Sequence, residues 1–276
     1  MDAVWRRAAF PLSLVAAIAV AGLAAANLPA ASTAPIEFAP SFPGGPYYAL
    51  ACSFSHRSND DPIVFPGQPG ASHNHTFIGN RSVNAATTPA SLIGGKTSCE
   101  SEFDSSAYWV PTLYAGREDV EPLAGVVYYV NRSNERISAP PAGLVMLAGN
   151  AYAKSRQAKG IAAWSCGAVG GRPRFATIPA CSANMMLQLQ ATFPNCWDGR
   201  RLDSPDHRQH VKYAVRGLCP ASHPVALPTI VLIVLYPPVP RGSQVASGKV
   251  SQHADFMNGW DQAELERLIE ERSLRR

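Results

Sequence analysis

Short runs of β-branched and aromatic residues recur along the chain, each closed by Pro, Gly, Asn or Asp. This pattern predicts strands over Tyr47–Phe54, Tyr108–Tyr114, Gly125–Val130, Leu144–Ala148, Ile161–Cys166, Met186–Ala191 and Thr229–Tyr236. Ile230 to Leu235 is apolar without interruption, as expected of a central strand covered on both faces. Helical periodicity is confined to the C-terminus. There Asp261 is placed to cap, Glu264 follows three residues later, and Leu265, Leu268 and Ile269 share one face. With no internal repeat, the pattern predicts a mainly β protein: a single two-sheet sandwich-like domain over 47–276 with a short C-terminal helix.

Composition supports a folded chain. Hydrophobic residues make up 46% and charged residues 16%, which excludes a disordered polyelectrolyte, and 24 Pro with 21 Gly favour short strands over long helices. The N-terminus reads differently. Trp5-Arg6-Arg7 supplies a positive region, Ala8 to Ala26 is uncharged, and Ala24 and Ala26 form an A-x-A cleavage pattern. This predicts a signal peptide over 1–26, then a Pro/Ala-rich linker over 27–46. The alternative is an uncleaved anchor, the one route to a membrane partner; Pro11 and the weak hydropathy of alanine favour cleavage. Either way the domain is expected to be secreted or extracytoplasmic, with attachment to the cell surface as a variant of the same reading.

Six cysteines, Cys52, Cys99, Cys166, Cys181, Cys196 and Cys219, fit that compartment: they are even in number and contain no C-x-x-C pair. They allow about 15 pairings, of which the pairing of sequence neighbours is the default expectation. The formal charge of +4 falls to about +3 without the leader. No basic block alternates with aromatics, so a nucleic-acid partner is not expected.

The chain lacks G-x-S-x-G, H-E-x-x-H, a P-loop and a dinucleotide fingerprint. Its histidines instead cluster as Ser72-His73-Asn74-His75 and Asp206-His207-Arg208-Gln209-His210. In an extended strand His73 and His75 share a face, and in a helical turn so do His207 and His210. Imidazoles so placed suit a divalent cation, and Asp206 would complete the shell or fix a tautomer. His253-Ala254-Asp255 repeats the spacing of two, with Asp255 a second candidate catalytic carboxylate. The ligand types do not choose the metal. Metal-free acid–base chemistry and purely structural hydrogen bonding are the competing readings. Trp197 and Trp260, each beside Gly and Asp, are candidates for stacking on sugar, although large aromatics in a sandwich are more often core.

Taken in order, these segments resemble the DUF1996 family, exported domains of unknown function. The resemblance is carried by Asp61-Pro62-Ile63-Val64-Phe65-Pro66-Gly67, Ser72-His73-Asn74-His75 with Gly79-Asn80, and Tyr108-Trp109-Val110-Pro111. It continues through Cys196-Trp197-Asp198-Gly199, Asp203-Ser204-Pro205-Asp206-His207 with His210, and Cys219-Pro220 with His223-Pro224. It ends at His253-Ala254-Asp255-Phe256 with Asn258-Gly259-Trp260, spanning about Tyr47 to Leu268. Thr76 and Ile78 depart from an acidic or bulky aromatic pattern common after the paired histidines, so Thr76 offers no extra carboxylate. The family supplies no activity. Its fungal members can accompany carbohydrate-binding modules, which implies cell-wall or polysaccharide surroundings by association. The expectation is a metal-dependent hydrolase of cell-wall or environmental polysaccharide, with a non-catalytic glycan-binding module as the alternative.

Overall fold

The computed structural model describes residues 45–273, so the signal peptide over 1–26 and all but the last two residues of the linker over 27–46 lie outside the described residues. Ten strands build two five-stranded sheets: β1 (Tyr47–Cys52), β2 (Phe54–Ser58), β3 (His75–Gly79), β4 (Ala107–Pro111), β5 (Ala124–Val130), β6 (Val145–Gly149), β7 (Ala162–Cys166), β8 (Leu187–Thr192), β9 (Thr229–Tyr236) and β10 (His253–Met257). One sheet runs β1-β5-β9-β8-β7 and the other β2-β3-β4-β10-β6, with every neighbouring pair antiparallel. The mainly β, two-sheet expectation holds. Two three-stranded sheets, centred on Leu113–Ala115 and Cys196–Trp197, decorate this frame.

Side-chain alternation explains how the sheets meet. Leu50, Val127, Tyr129, Ile230, Leu232 and Leu189 from the first sheet share one buried cluster with Ile78, Tyr108, Val110, Met146, Ala254 and Phe256 from the second. The uninterrupted apolar run lies in β9, third of five strands, and all eight of its residues are buried. The C-terminal helix spans Gln262–Leu268, and the Asp261 side chain accepts from the Glu264 backbone N–H, as the capping pattern predicts. Leu265, Leu268 and Ile269 join the inter-sheet core. Among the described residues no helix is long and apolar enough to cross a membrane.

The cysteines pair as sequence neighbours: Cys52–Cys99, Cys166–Cys181 and Cys196–Cys219. Each closes a loop whose freedom in the unfolded chain it removes, an effect of about 2–4 kcal/mol apiece.

A polar chain crosses the apolar core. Trp260 Nε1–H donates to the Tyr129 hydroxyl (2.8 Å), the tyrosine hydroxyls of Tyr129 and Tyr108 are 2.8 Å apart, and the Tyr108 hydroxyl donates to Asp104 Oδ2 (2.9 Å). Since Tyr108 spends its proton on Asp104, Tyr129 must be the donor between the two hydroxyls, so the chain runs one way and ends on a carboxyl. Burial pushes the Asp104 pKa up to about 6, against the hydrogen bonds from Ser106 and Tyr108 that pull it down.

A pKa raised by folding favours the protonated native state. The contribution is therefore complete below about pH 4 and is lost as the pH rises to about 6. We expect stability to fall by about 3 kcal/mol across that window from this group alone. Urea unfolding of wild type and Asp104→Asn at pH 4 and pH 7 checks this. An unchanged pH slope in the variant would contradict it.

Candidate functional site

The outward face of the second sheet carries the polar residues. On β10 the alternation sends Ala254 and Phe256 into the core and turns His253 and Asp255 outward. β3 and β10 flank β4, whose Pro111 faces His75 and whose Trp109 faces Asp255. His75 and His253 thus stand one strand apart at the same end of the sheet, and the loop before β3 brings His73 over them. Ring centroids are 4.2 Å apart for His73 and His75, 5.1 Å for His73 and His253, and 5.7 Å for His75 and His253. One ring nitrogen from each of the three lies within 4.8 Å of the others.

The hydrogen bonds decide which nitrogens face inward. His75 Nδ1 lies 3.1 Å from the Asp60 carbonyl, and His253 Nδ1 lies 2.8 Å from the Ser251 carbonyl. A carbonyl only accepts, so both Nδ1 atoms carry the proton and both Nε2 atoms present a lone pair. Nε2 of His73 and His75 and Oδ2 of Asp255 are buried with no hydrogen-bond partner among the described residues. Leaving such groups unpaired costs about 1–3 kcal/mol each, a cost that ligation of a cation would relieve. Asp255 Oδ2 is 3.5 Å from His253 Nε2, too long for a hydrogen bond between them.

Electrostatics keeps the imidazoles neutral, the form that binds metal. Burial lowers the pKa of His73, and holds that of His75 well below the usual imidazole value with help from His73 and His253. Burial takes His253 down to about 3. Asp255 moves the other way: burial, reinforced by the Asp61 carboxylate, holds it well above the usual carboxyl range. Gly149 lets the strands close here. Its φ of +85° is left-handed, and a Cβ would meet the Gln252 carbonyl at 2.7 Å and His253 Cα at 3.1 Å.

Above the cluster opens a cleft lined by Asp61, His73, Tyr152, Asp206, His207 and Arg208, with His253 and Asp255 in its floor. Several predicted site residues therefore meet: His73, His75, His207, Asp206 and Asp255. Their roles differ from expectation. His207 is bound through Nδ1 to Asp203 Oδ2 (2.8 Å) and is not in the three-histidine group. Asp206 spends Oδ1 on the Ser204 hydroxyl and the backbone N–H groups of Arg208 and Gln209, holding a turn.

Three assignments are corrected by placement. His210 is fully buried, with Nδ1 on the Ser204 hydroxyl and Nε2 on the Val145 carbonyl, so it has no nitrogen left for a metal. The left-handed φ of +55° at His207 breaks the helical turn that would have aligned the two rings. Trp260 is fully buried in the inter-sheet core and cannot stack on a ligand. Trp197 does not line the cleft; it packs against the core and donates Nε1–H to the Arg201 carbonyl. The third histidine, His253, replaces His207 and His210 in the cluster. Its sequence signal was the H-x-D alternation.

Fold and site together define a two-sheet β protein with a histidine cluster at the base of a cleft. The chain belongs to the family described as Domain of unknown function (DUF1996), whose sequence profile matches residues 61–260. Every residue of the cluster and the lining of the cleft falls within that span. No curated protein and no solved structure matches the chain.

Proposed function

We propose that this is an exported hydrolase that uses a divalent metal held by His73, His75 and His253 and acts on cell-wall or extracellular polysaccharide. The observation that carries the reading is the convergence of three neutral imidazoles, two with tautomers fixed by backbone carbonyls, beneath a cleft. A divalent cation at that point supplies Lewis acidity at the cleft floor. The chain's own groups do the rest. The Asp60 and Ser251 carbonyls hold two rings in place, Asp255 offers an oxygen beside His253, and Asp61 and Arg208 set the charge around it. Export is supported by the basic, alanine-rich leader and by three disulfides.

A polysaccharide substrate is supported by Tyr152 in the lining of the cleft, 66% exposed and free to lie against a sugar ring. The same tyrosine favours the second reading, a glycan-binding module without catalysis. Elemental analysis of untagged protein separates the two. We expect one divalent ion per chain, lost in His253→Ala, and metal-dependent release of reducing ends from a wall-polysaccharide panel. Glycan retention with no bound metal would overturn the enzyme reading.

A further inference from the structure

We propose that His207 and Asp203 form a proton-transfer dyad on the wall of the cleft, separate from the three-histidine cluster. The inference takes its chemical role from the hydrolytic reading above, but the dyad stands on its own geometry.

An accounting of the seven histidines leads to it. His73, His75 and His253 form the cluster. His56, His210 and His223 each have both ring nitrogens engaged: His56 by the Ser55 hydroxyl and the Val83 carbonyl, His210 by Ser204 and Val145, His223 by the Ser222 hydroxyl and the Gln209 carbonyl. His207 is left over. Its Nδ1 lies 3.0 and 2.8 Å from the two oxygens of Asp203, and Nε2 has no protein partner among the described residues. The side chain is 23% exposed and lines the cleft.

The backbone is arranged to hold this ring in place. A φ of +55° is uncommon for a residue with a side chain and persists where neighbouring bonds over-determine it. Here the His207 N–H donates to the Ser204 carbonyl at 2.7 Å, while the Ser204 hydroxyl and Asp206 Oδ1 collect the next two N–H groups. The groups facing His207 are Asp203 on its own loop, Asp61 from the loop after β2, and the flanking Asp206 and Arg208.

With Nδ1–H given to a carboxylate, Nε2 is a base and Asp203 stabilises the imidazolium that results. In a hydrolysis Nε2 takes a proton from the attacking water as the new bond from oxygen to substrate forms. It returns that proton to the leaving oxygen as the old bond breaks, so the step needs no further reactant. Asp203 is a positioning residue and His207 the proton carrier.

Diethyl pyrocarbonate labelling of the full protein, read by peptide mass spectrometry, tests the dyad without a substrate. We expect His207 to be acylated fastest of all the histidines and severalfold more slowly in Asp203→Asn, with bound metal unchanged in His207→Gln. If metal-dependent hydrolysis is found, His207→Gln should lower kcat by about 10²–10⁴-fold, with KM little changed. Labelling of His207 no faster than His56, or unaffected by Asp203→Asn, would overturn the proposal. Loss of metal in His207→Gln would overturn it too, by making His207 a ligand. Absence of metal alongside fast, Asp203-dependent labelling would sink the metal reading and leave the dyad in place.

Discussion

His75→Ala is expected to weaken divalent-metal binding by more than the ~10–100-fold that follows loss of an outer hydrogen-bond partner of a ligand. His75 is fully buried at the first position of β3, and its Nε2 is committed to the cluster because Nδ1–H is spent on the Asp60 carbonyl. Removing it leaves two imidazoles, which a small divalent cation does not hold tightly in water. The clearest readout is a difference. Metal that binds only the native state raises its stability by about 4 kcal/mol when present at about 1,000 times Kd. Wild type should gain thermal stability on metal addition, and His75→Ala should gain almost none at the same concentration. Without metal the two proteins should differ far less, since the lost imidazole carried an unpaired buried nitrogen whose desolvation was itself a cost. Equal metal-induced shifts in Tm would remove His75 from the site.

Trp260→Ala is expected to cost about 3–5 kcal/mol, the range for deleting a large buried aromatic. The indole is fully buried between Tyr48 and Tyr129, each with its ring centroid about 6.1 Å away. It starts the polar chain that ends on Asp104, and its backbone pairs with Asp104 as well. Alanine would leave a void where the C-terminal segment closes the sandwich and would take the donor from Tyr129. Trp260→Phe keeps most of the packing and loses only the hydrogen bond, so about 1 kcal/mol is expected. Denaturant unfolding of both variants measures the pair. Near-equal stability of Trp260→Ala and wild type would contradict the packing described here.

The first sheet was legible because β5 and β9 are apolar on both faces and β8 alternates Leu187 and Leu189 with Gln188 and Gln190. Thr229–Tyr236 was bounded to the residue, and Gly125–Val130 and Met186–Ala191 to within one residue at each end. The second sheet was only half visible. Phe54–Ser58, His75–Gly79 and His253–Met257 carry polar residues on the outward face, which breaks the apolar pattern that marks a strand. Those same residues make the site. The spacing of His73 and His75 was readable as shared direction. The partnership of His75 with His253 was not, because it follows from both strands flanking β4, a long-range pairing that neither segment encodes alone. His207 and His210 misled for a local reason: a spacing of three aligns side chains only on a helix, and a left-handed residue stands at His207. Trp260 misled through its Gly and Asp neighbours, which mark a turn that delivers the indole inward.

The strand that supplies His253 is the last of the ten to be synthesised, yet it occupies an interior lane of its sheet, between β4 and β6. A chain interrupted before Gln252 would own His73 and His75 but could not close the sheet around them. On the metal-binding function proposed above, ion capture would be a late event, conditional on the strand that carries His253. Loading would report that folding is finished, and fragments released by early termination or proteolysis would carry off no ion.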